Sequence, residues 1–211
     1  QHFLISEPIA ERIADSLISR TKYDKVIEIG PGMGMLTKYL IDRPYELYAV
    51  EADEDMVTYL YEHYPQLRQR LILKNFLNVG LENIFKNEEP FAIIGNFPYN
   101  ISSQILFKML EYRSQVPELV GMFQKEMAER VAANPGGKEY GVITVLVQAY
   151  YNVEYLFSVK RGNFRPPPKV TSAVIRLTRK DDQELGCDYT MFRRVVKQAF
   201  GQRRKMLRNT M

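Results

Sequence analysis

The sequence has a single cysteine, no apolar run long enough to span a bilayer and no tract rich in proline and glycine. Because Cys187 has no second cysteine to pair with, an internal disulfide is excluded and a reducing compartment is expected. The apolar runs stay well below the roughly 18 residues that a membrane span requires, so we expect no membrane partner. Nothing at the start resembles a signal peptide, and the opening Gln1 in place of Met indicates a fragment or a processed product.

Acidic residues are absent from the end of the chain. Residues 1–150 carry 15 Lys and Arg against 20 Asp and Glu, whereas residues 151–211 carry 14 against 5. After position 188 the charged residues are all basic (Arg193, Arg194, Lys197, Arg203, Arg204, Lys205 and Arg208). This block predicts a surface that faces a polyanion, and the alternative is a solvated helix face.

Short apolar runs alternate with amphipathic stretches through most of the 211 residues, 45% of which are hydrophobic. Runs of this length predict strands, and the stretches Met56–Tyr64 and Ile101–Tyr112 predict helices. The alternation indicates an α/β fold with a mostly parallel, doubly wound sheet. The predicted strands are Val26–Ile29, Leu47–Val50, Leu71–Leu73, Phe91–Ile94, Leu119–Phe123 and Val142–Val147.

The pattern changes near the carboxyl end. Tyr155–Val159 and Ala173–Leu177 predict two strands around a proline-rich loop that is too short to contain a helix, so this part of the sheet is expected to be antiparallel. The composition then turns polar, and a basic amphipathic helix follows. A domain boundary is therefore predicted after residue 180, between residues 1–180 and residues 181–211.

Three glycines follow the first predicted strand of the sheet, in the run Glu28–Gly34 with the sequence EIGPGMG, and a helix is predicted over Met35–Ile41. Glycine lets the backbone turn tightly and approach a flat ligand where a Cβ would intrude. Glu51 ends the next predicted strand, 21 residues after Gly30, where a carboxylate takes the hydroxyls of a cofactor ribose. Gly30 and Glu51 together predict a nucleoside-containing cofactor, although a glycine triplet alone also occurs in plain turns.

The chemistry of this loop discriminates between nucleoside cofactors. Its spacing is GxGxG and not GxGxxG, it contains no basic residue, and the Gly-Lys-Ser/Thr of a P-loop is absent. Glu28 would repel a phosphate but can accept a hydrogen bond from a ligand ammonium. S-adenosylmethionine has an amino-acid end, a ribose, an adenine and no phosphate, so the sequence favours it over NAD.

A second cluster follows the fourth predicted strand, in the run Asn96-Phe-Pro-Tyr99. The lone pair of a nucleobase amine is delocalised into the ring, which makes the amine a poor nucleophile. The side-chain oxygen of Asn96 and the carbonyl of Pro98 would draw such a nitrogen toward a tetrahedral geometry. Tyr99 would stack on a base flipped out of its helix. The alternative is a proline-rigidified turn with a buried tyrosine.

Six parts of the chain together resemble the ribosomal RNA adenine N6-dimethyltransferases, and the resemblance runs over essentially its whole length. They are residues 1–4, 28–34, Glu51, 96–102 (NFPYNIS), 163–172 and 202–209 (QRRKMLRN). The carboxyl-terminal parts resemble the small-subunit enzymes, whose bacterial members govern kasugamycin sensitivity. Relatives that methylate large-subunit rRNA usually lack the QRRK ending.

The resemblance implies a Rossmann-like, S-adenosylmethionine-dependent methyltransferase domain in residues 1–180 and the start of a small helical RNA-binding domain in residues 181–211. It implies dimethylation of two adjacent adenosines in the 3′-terminal hairpin of 16S rRNA, within the 30S subunit, during its maturation. It further implies a cytoplasmic monomer that needs neither a metal nor a membrane.

The resemblance also assigns roles to individual residues. Matches to the donor site are Gln1, His2, Leu4, Gly30, Gly32, Glu51, Ala52, Asn75 and Asn96. Matches to the target-adenosine site are Asn96, Pro98, Tyr99 and Phe164, the last packing against the flipped adenine from the other side, with a plain core phenylalanine as the alternative. A basic rim around that site is expected from Lys160, Arg161, Arg165, Lys169, Arg203, Arg204 and Lys205.

The chain departs from the family pattern at two of these positions. His2 stands where asparagine is commoner, and little consequence is expected. Asn75 stands where the family usually has an aspartate that accepts from the cofactor adenine amine, so weaker donor binding is expected from the uncharged oxygen. The chain also stops inside the first helix of the family's helical domain, which bears on RNA docking.

Two other functions are compatible with the same residues. One is methylation of a DNA adenine or a protein glutamine by another enzyme with an Asn-x-Pro-Tyr corner, although the basic end favours nucleic acid. The other is a catalytically idle assembly or transcription factor that keeps the fold for binding. The intact Glu51, Asn96 and Tyr99 argue against the second, because a binding protein has no need to grip an amine.

Overall fold

The computed structural model of the protein describes residues 2–19, 21–86, 88–182 and 185–201. Its strands are β1 (Phe3–Leu4), β2 (Lys25–Ile29), β3 (Glu46–Glu51), β4 (Leu71–Leu73), β5 (Phe91–Asn96), β6 (Glu118–Gln124), β7 (Tyr151–Val159), β8 (Phe164–Arg165) and β9 (Ser172–Arg179). Its α-helices are α1 (Glu7–Asp15), α2 (Thr37–Leu40), α3 (Glu54–His63), α4 (Ser102–Glu111), α5 (Lys125–Val131), α6 (Val142–Tyr150) and α7 (Tyr189–Gly201).

Seven of the strands form one sheet with the order β4-β3-β2-β5-β6-β9-β7, and β1 pairs with β8 in a separate two-stranded sheet. The five strands from β4 to β6 are parallel. β9 runs antiparallel to both of its neighbours. This topology confirms the predicted mostly parallel α/β sheet and its antiparallel end.

Both faces of the sheet are covered, because successive residues of each central strand point to opposite sides. In β5, Ile93 packs with buried residues of α4 and α6, while Ala92 and Ile94 pack with those of α1, α2 and α3. The two cores hold the parallel strands so that all their carboxyl ends lie at one edge. The loops that leave that edge are where a site is expected.

The apolar run Val142–Val147, predicted as a strand, belongs to helix α6 instead. A short run that is almost entirely apolar fits a buried helix as well as a strand, since it shows no clear period. Here the first turn is fixed by Thr144, whose Oγ1 accepts from the N–H of Gly141 at 3.0 Å and donates to the carbonyl of Arg130 at 2.6 Å. The strand prediction at this position was wrong.

The helix predicted over Met35–Ile41 is shorter than expected, since only Thr37–Leu40 is α-helical and turns occupy residues 32–36. Gly34 has a φ of +79°, and a Cβ there would lie 2.4 Å from the ring of Tyr64, so both the turn and the close packing require glycine. The turns keep the backbone of the loop against the sheet edge.

Helix α7 packs on α6, with Val196 buried in the same core and Phe192 beside it. The division into domains after residue 180 stays a prediction. Across the residues that the structure describes, no helix combines the length and the apolar character that crossing a membrane requires.

Candidate active site

A cavity of about 610 Å³ opens at the carboxyl edge of the sheet, where β2, β3 and β5 end. Its walls are the glycine loop after β2, the end of β3, the corner after β5 and the strand β1. It is lined by His2, Phe3, Leu4, Glu28, Gly30, Pro31, Gly32, Met33, Met35, Leu36, Glu51, Ala52, Asp53, Asn96, Phe97, Pro98, Tyr99 and Asn100. Most of the predicted donor and target residues are therefore brought to one place.

Glu51, the last residue of β3, is buried with its carboxylate held by three backbone N–H groups. Its Oε2 accepts from Gly32 at 2.9 Å, and its Oε1 accepts from Ala52 at 2.8 Å and Asp53 at 3.1 Å. A carboxylate has about four acceptor positions, so acceptor capacity is left for a ligand hydroxyl. The same bonds tie the glycine loop to the end of β3.

Glu28 lies one strand away and is 1% exposed, yet it lines the cavity. Burial raises the pKa of its carboxyl to about 8, the charge of Glu51 adds to the rise, and a hydrogen bond from Thr37 Oγ1 at 2.7 Å opposes it. At neutral pH the carboxyl therefore keeps its proton in the protein alone. A cationic group beside it would favour the ionised form, which suits a ligand ammonium.

Asn96 ends β5, and its amide is oriented by the strand that crosses above it. Its Nδ2 donates to the carbonyl of His2 at 3.2 Å, which leaves Oδ1 as the acceptor side of the amide. His2 is itself held, because its Nδ1 lies 2.8 Å from the carbonyl of Pro166. The amino-terminal segment thus sets the direction in which Asn96 can accept.

The backbone of the corner after β5 is fixed by packing beneath it. Phe97 is 1% exposed, and its ring lies over Gly121 of β6, where a Cβ would come within 2.3 Å of it. The carbonyl of Pro98 accepts from the N–H of Ile101 at 3.1 Å, so one of its two lone pairs is used within the turn and one remains. Pro98 can therefore still accept from a ligand amine.

Tyr99 lines the cavity at the corner after β5. Its hydroxyl lies 2.6 Å from Ser172 Oγ at the start of β9, and its carbonyl accepts from Ser102 Oγ at 3.1 Å. Burial raises the pKa of the Tyr99 phenol, so it stays neutral and either hydroxyl can donate. The ring of His2 lies 6.0 Å from the ring of Tyr99, which leaves the two rings as neighbouring walls.

Two predicted site residues do not line this cavity. Asn75 is exposed, and its Oδ1 accepts from the N–H of Leu77 at 3.0 Å, where it caps a short 3₁₀ turn. Phe164 is 3% exposed in the core, in register with Leu4 in the β1–β8 pair. In this structure Phe164 has the surroundings of a core residue, and a role for either side chain with a ligand stays a prediction.

The remaining predictions concern surface or undescribed residues. Lys160, Arg161, Arg165 and Lys169 are exposed, on the segment between β7 and β9 that leaves the same sheet edge as the cavity. In the described parts of the chain none of these four takes part in a salt bridge. Gln1, Arg203, Arg204 and Lys205 lie outside the described residues.

The sequence prediction missed the apolar part of the cavity wall. Met33 and Pro31 stand inside the glycine run, so their position in the motif was a usable signal for them. Phe3 and Phe97 likewise stand inside residues 1–4 and the run Asn96-Phe-Pro-Tyr99, so the same signal was available for them. Among described residues, no group of three or more His, Cys, Asp or Glu is placed to hold a metal ion.

Known proteins match the chain along its full length. A family model described as ribosomal RNA adenine dimethylase matches residues 1–211. Ribosomal RNA small subunit methyltransferase A of Flavobacterium johnsoniae is 54% identical over 211 residues, which cover 100% of this chain and 80% of that protein.

Two solved structures are similar in fold and, to a lesser degree, in sequence. The dimethyladenosine transferase from Plasmodium falciparum has a TM-score of 0.82 at 27% identity and covers 99% of this chain and 74% of its own. The 23S rRNA methyltransferase ErmE has a TM-score of 0.78 at 27% identity and covers 99% of this chain and 82% of its own.

Proposed function

Since the chain belongs to the ribosomal RNA adenine dimethylase family, it is an rRNA adenine dimethyltransferase, and we propose that it acts on the 3′-terminal hairpin of 16S rRNA. Two adjacent adenosines there each receive two methyl groups at N6, during maturation of the small subunit. The 54% identity to a small-subunit methyltransferase favours this substrate over large-subunit rRNA. The observation that carries the proposal is one cavity that joins Glu51 to the Asn96 corner.

The donor in this proposal is S-adenosylmethionine, which supplies an electrophilic methyl group on a sulfonium when bound. Glu51 accepts from a ribose hydroxyl of the donor with the acceptor capacity that its three backbone bonds leave. Glu28 accepts from the ammonium in a buried place, where the cation favours the ionised form of its carboxyl. The cavity volume of about 610 Å³ lies within the usual range for small-molecule sites of about 300–1,000 Å³.

The target amine is gripped by the corner after β5. In the first transfer Asn96 Oδ1 and the Pro98 carbonyl accept from the two hydrogens of the amine, and in the second transfer one of them accepts from the hydrogen that remains. These bonds strengthen as the nitrogen becomes tetrahedral and its lone pair turns toward the methyl carbon. Tyr99 stacks on the flipped base. The proton leaves the nitrogen after the new bond to carbon has made it cationic, so the corner needs no general base.

The exposed basic residues from Lys160 to Lys169 contact phosphate at the rim of the same edge. We place the enzyme in the cytoplasm as a monomer that works on 30S particles without a metal. Phe164 would receive the far face of the adenine only if β1 and β8 shift with the RNA, because in the present packing its ring is buried.

The proposal is tested by primer extension on 30S particles that lack the modification, treated with the enzyme and S-adenosylmethionine. Because dimethyladenosine stops the polymerase, two adjacent stops near the 3′ end are expected. Duplex DNA and a glutamine peptide, treated in parallel with labelled donor, should stay unlabelled. Label in the DNA or the peptide, with no stops in 16S rRNA, would contradict the proposal.

Asn96→Ala is the matched inactive variant for this assay. It should raise the barrier to methyl transfer by roughly 2–4 kcal/mol, as expected for the loss of one preorganised polar group. Calorimetry should show a much smaller loss in donor affinity, since the contact matters most in the transition state. Single-turnover rates near wild type would exclude the role of Asn96.

A further inference from the structure

Ser172 lies outside the cavity lining and is fully buried, yet its hydroxyl meets the ring hydroxyl of Tyr99 at 2.6 Å. We propose that Ser172 is a positioning residue that fixes the position of the Tyr99 ring on which the target adenine stacks. This inference rests on the proposed function, because it takes Tyr99 as the residue that receives the base.

Ser172 is a rigid anchor because of its place in the sheet. It is the first residue of β9 and is paired on one side with Gln124 of β6 and on the other with Val159 of β7. Its backbone is therefore held from both sides, and its side chain has no exposed surface. A hydroxyl in that place can move only if the sheet edge moves.

Tyr99 is held at its two ends by different elements. Its backbone carbonyl accepts from Ser102 at the start of α4, and its ring tip is bonded to Ser172 of β9. With the Cα end and the hydroxyl end both fixed, the χ1 torsion of Tyr99 is set, and with it the place that the ring occupies in the cavity wall. The bond to Ser172 positions the ring, whereas the bond from Ser102 positions the backbone.

The orientation of this ring matters for the reaction. Asn96 and Pro98 precede Tyr99 in the same short corner, so the stacked base must present its amine in register with both acceptors. A displacement of about 1 Å from the reactive geometry can cost up to about a hundredfold in rate. Donor binding is expected not to depend on this bond, because the two hydroxyls bond to each other and Ser172 does not line the cavity.

The test is a double-mutant cycle with Ser172→Ala and Tyr99→Phe, each of which removes one of the two hydroxyls. Single-turnover methylation of 30S particles should slow on the order of tenfold in each variant, and the double variant should be no slower than either, since all three lack the same bond. Donor affinity by calorimetry should change less than twofold. Wild-type rates, or losses that multiply in the double variant, would overturn the proposal.

A second tyrosine–serine pair provides a matched control. Tyr155 and Ser158 lie 2.7 Å apart through their hydroxyls but are exposed on the edge strand β7, away from the cavity lining. Tyr155→Phe with Ser158→Ala should methylate at the wild-type rate. A loss equal to that of Ser172→Ala would make the effect nonspecific and overturn the positioning role.

Tyr99→Ala separates this inference from the function on which it rests. It should slow methylation more than Tyr99→Phe, because the stacking surface itself is lost. If Tyr99→Ala methylates normally, the stacking role within the proposed function is wrong. If Tyr99→Ala is slow while Ser172→Ala and Tyr99→Phe are normal, only the positioning role is wrong.

Discussion

Two buried glutamates face the same cavity, but their carboxyl groups are satisfied differently. Glu51 accepts from three backbone N–H groups, whereas Glu28 has one hydroxyl donor, Thr37. An ionised carboxylate without enough donors is costly to bury, so the pKa of Glu28 rises to about 8. The two carboxyl groups therefore differ: Glu51 is held by three backbone donors, whereas the protonation of Glu28 responds to the ligand beside it.

Stability should depend on pH through Glu28. Its pKa in the folded chain lies above the unfolded value of about 4.5, so its protonated form stabilises the fold most at low pH and that contribution is lost as pH rises to about 8. Glu28→Gln keeps an acceptor for Thr37 and cannot ionise. Relative to the wild type, the variant should gain on the order of a few kcal/mol in unfolding free energy between pH 5 and pH 8.

Urea unfolding at pH 5, 6.5 and 8 measures this difference, since the other ionisable groups are common to both proteins. Parallel pH profiles of the unfolding free energy for the wild type and Glu28→Gln would contradict this prediction. They would show that the Glu28 carboxyl binds the same number of protons in the folded and the unfolded chain across this range.

Donor affinity should depend on Glu51. Glu51→Ala removes a charged acceptor from the ribose side, and we expect a loss of about 1.5–3 kcal/mol in S-adenosylmethionine affinity by calorimetry. Glu54→Ala, at an exposed glutamate three residues on, is the matched control and should bind as the wild type does. Equal affinities in all three proteins would remove Glu51 from the donor site.

Prediction from sequence succeeded where a residue's position follows from the end of a strand. Glu51 and Asn96 each end a parallel strand, and parallel strands bring such residues to one edge whatever the loops do. It could not place Asn75 or Phe164, because those depend on a 3₁₀ turn and on the pairing of β1 with β8. Local pattern carries no information about either contact.

Among the contacts between elements, a lysine of helix α4 holds the turn that follows strand β4. Lys108 of α4 donates to the carbonyls of Phe76, Leu77 and Val79, three residues of the turn that follows β4. Its ammonium also lies 5.0 Å from the centre of the Phe76 ring. Burial lowers the pKa of Lys108, so these carbonyl bonds offset a real desolvation cost.

Lys108→Met keeps the aliphatic stem and removes these bonds. The unfolding free energy should fall by about 1.5–3 kcal/mol, the usual worth of hydrogen bonds to a charged group. Hydrogen exchange in residues 74–80 should quicken, because three carbonyls lose their donor. Lys74→Met, at an exposed lysine beside the same turn, is the control. Equal rates of hydrogen exchange in both variants would mean that the turn is stable without the hydrogen bonds from Lys108.

Helix α6, part of which was predicted as a strand, shows where hydrophobic periodicity alone fails to assign secondary structure. The run Val142–Val147 and the central strands are both mostly apolar, and so short a run shows no period, so a strand was predicted there. What decides the outcome is tertiary: α6 packs against α5 and α7 and contributes Ile143, Leu146 and Val147 to the core. The amphipathic α3 and α4 were predicted, because their exposed faces make the helical period visible.

Across the molecule as a whole, the exposed basic residues between β7 and β9 lie at the sheet edge that carries the cavity. Lys160 and Lys169 leave that edge exposed, at either end of the segment between β7 and β9. Helix α7, which packs on α6, carries two further exposed basic residues, Arg194 and Lys197, whereas Arg193 packs its guanidinium 5.4 Å from the ring centre of Phe107. Part of the predicted basic run is therefore held in packing.

Reversing Lys160 and Lys169 to Glu should weaken binding to 30S particles and flatten its dependence on salt. Each lost phosphate contact lowers the slope of log affinity against log salt by about one unit. Lys22→Glu with Lys86→Glu is the control, because it makes the same charge change at loops that precede β2 and β5. If the salt slope is unchanged in the Lys160 and Lys169 variant, or changes equally in the control variant, these two lysines do not contact phosphate.

The backbone of His2 links the segment that covers the donor cavity to the residue that grips the target amine. Its carbonyl holds the amide of Asn96, and the strand that follows it covers the donor cavity and is joined to β8 over only two residue pairs. A spent donor must leave before each new methyl group arrives. If β1 lifts for that exchange, Asn96 loses its orientation in the same movement, so the adenine is gripped only while the cavity is closed. One peptide unit would then keep donor replacement and methyl transfer from overlapping through successive rounds on the same nucleotide.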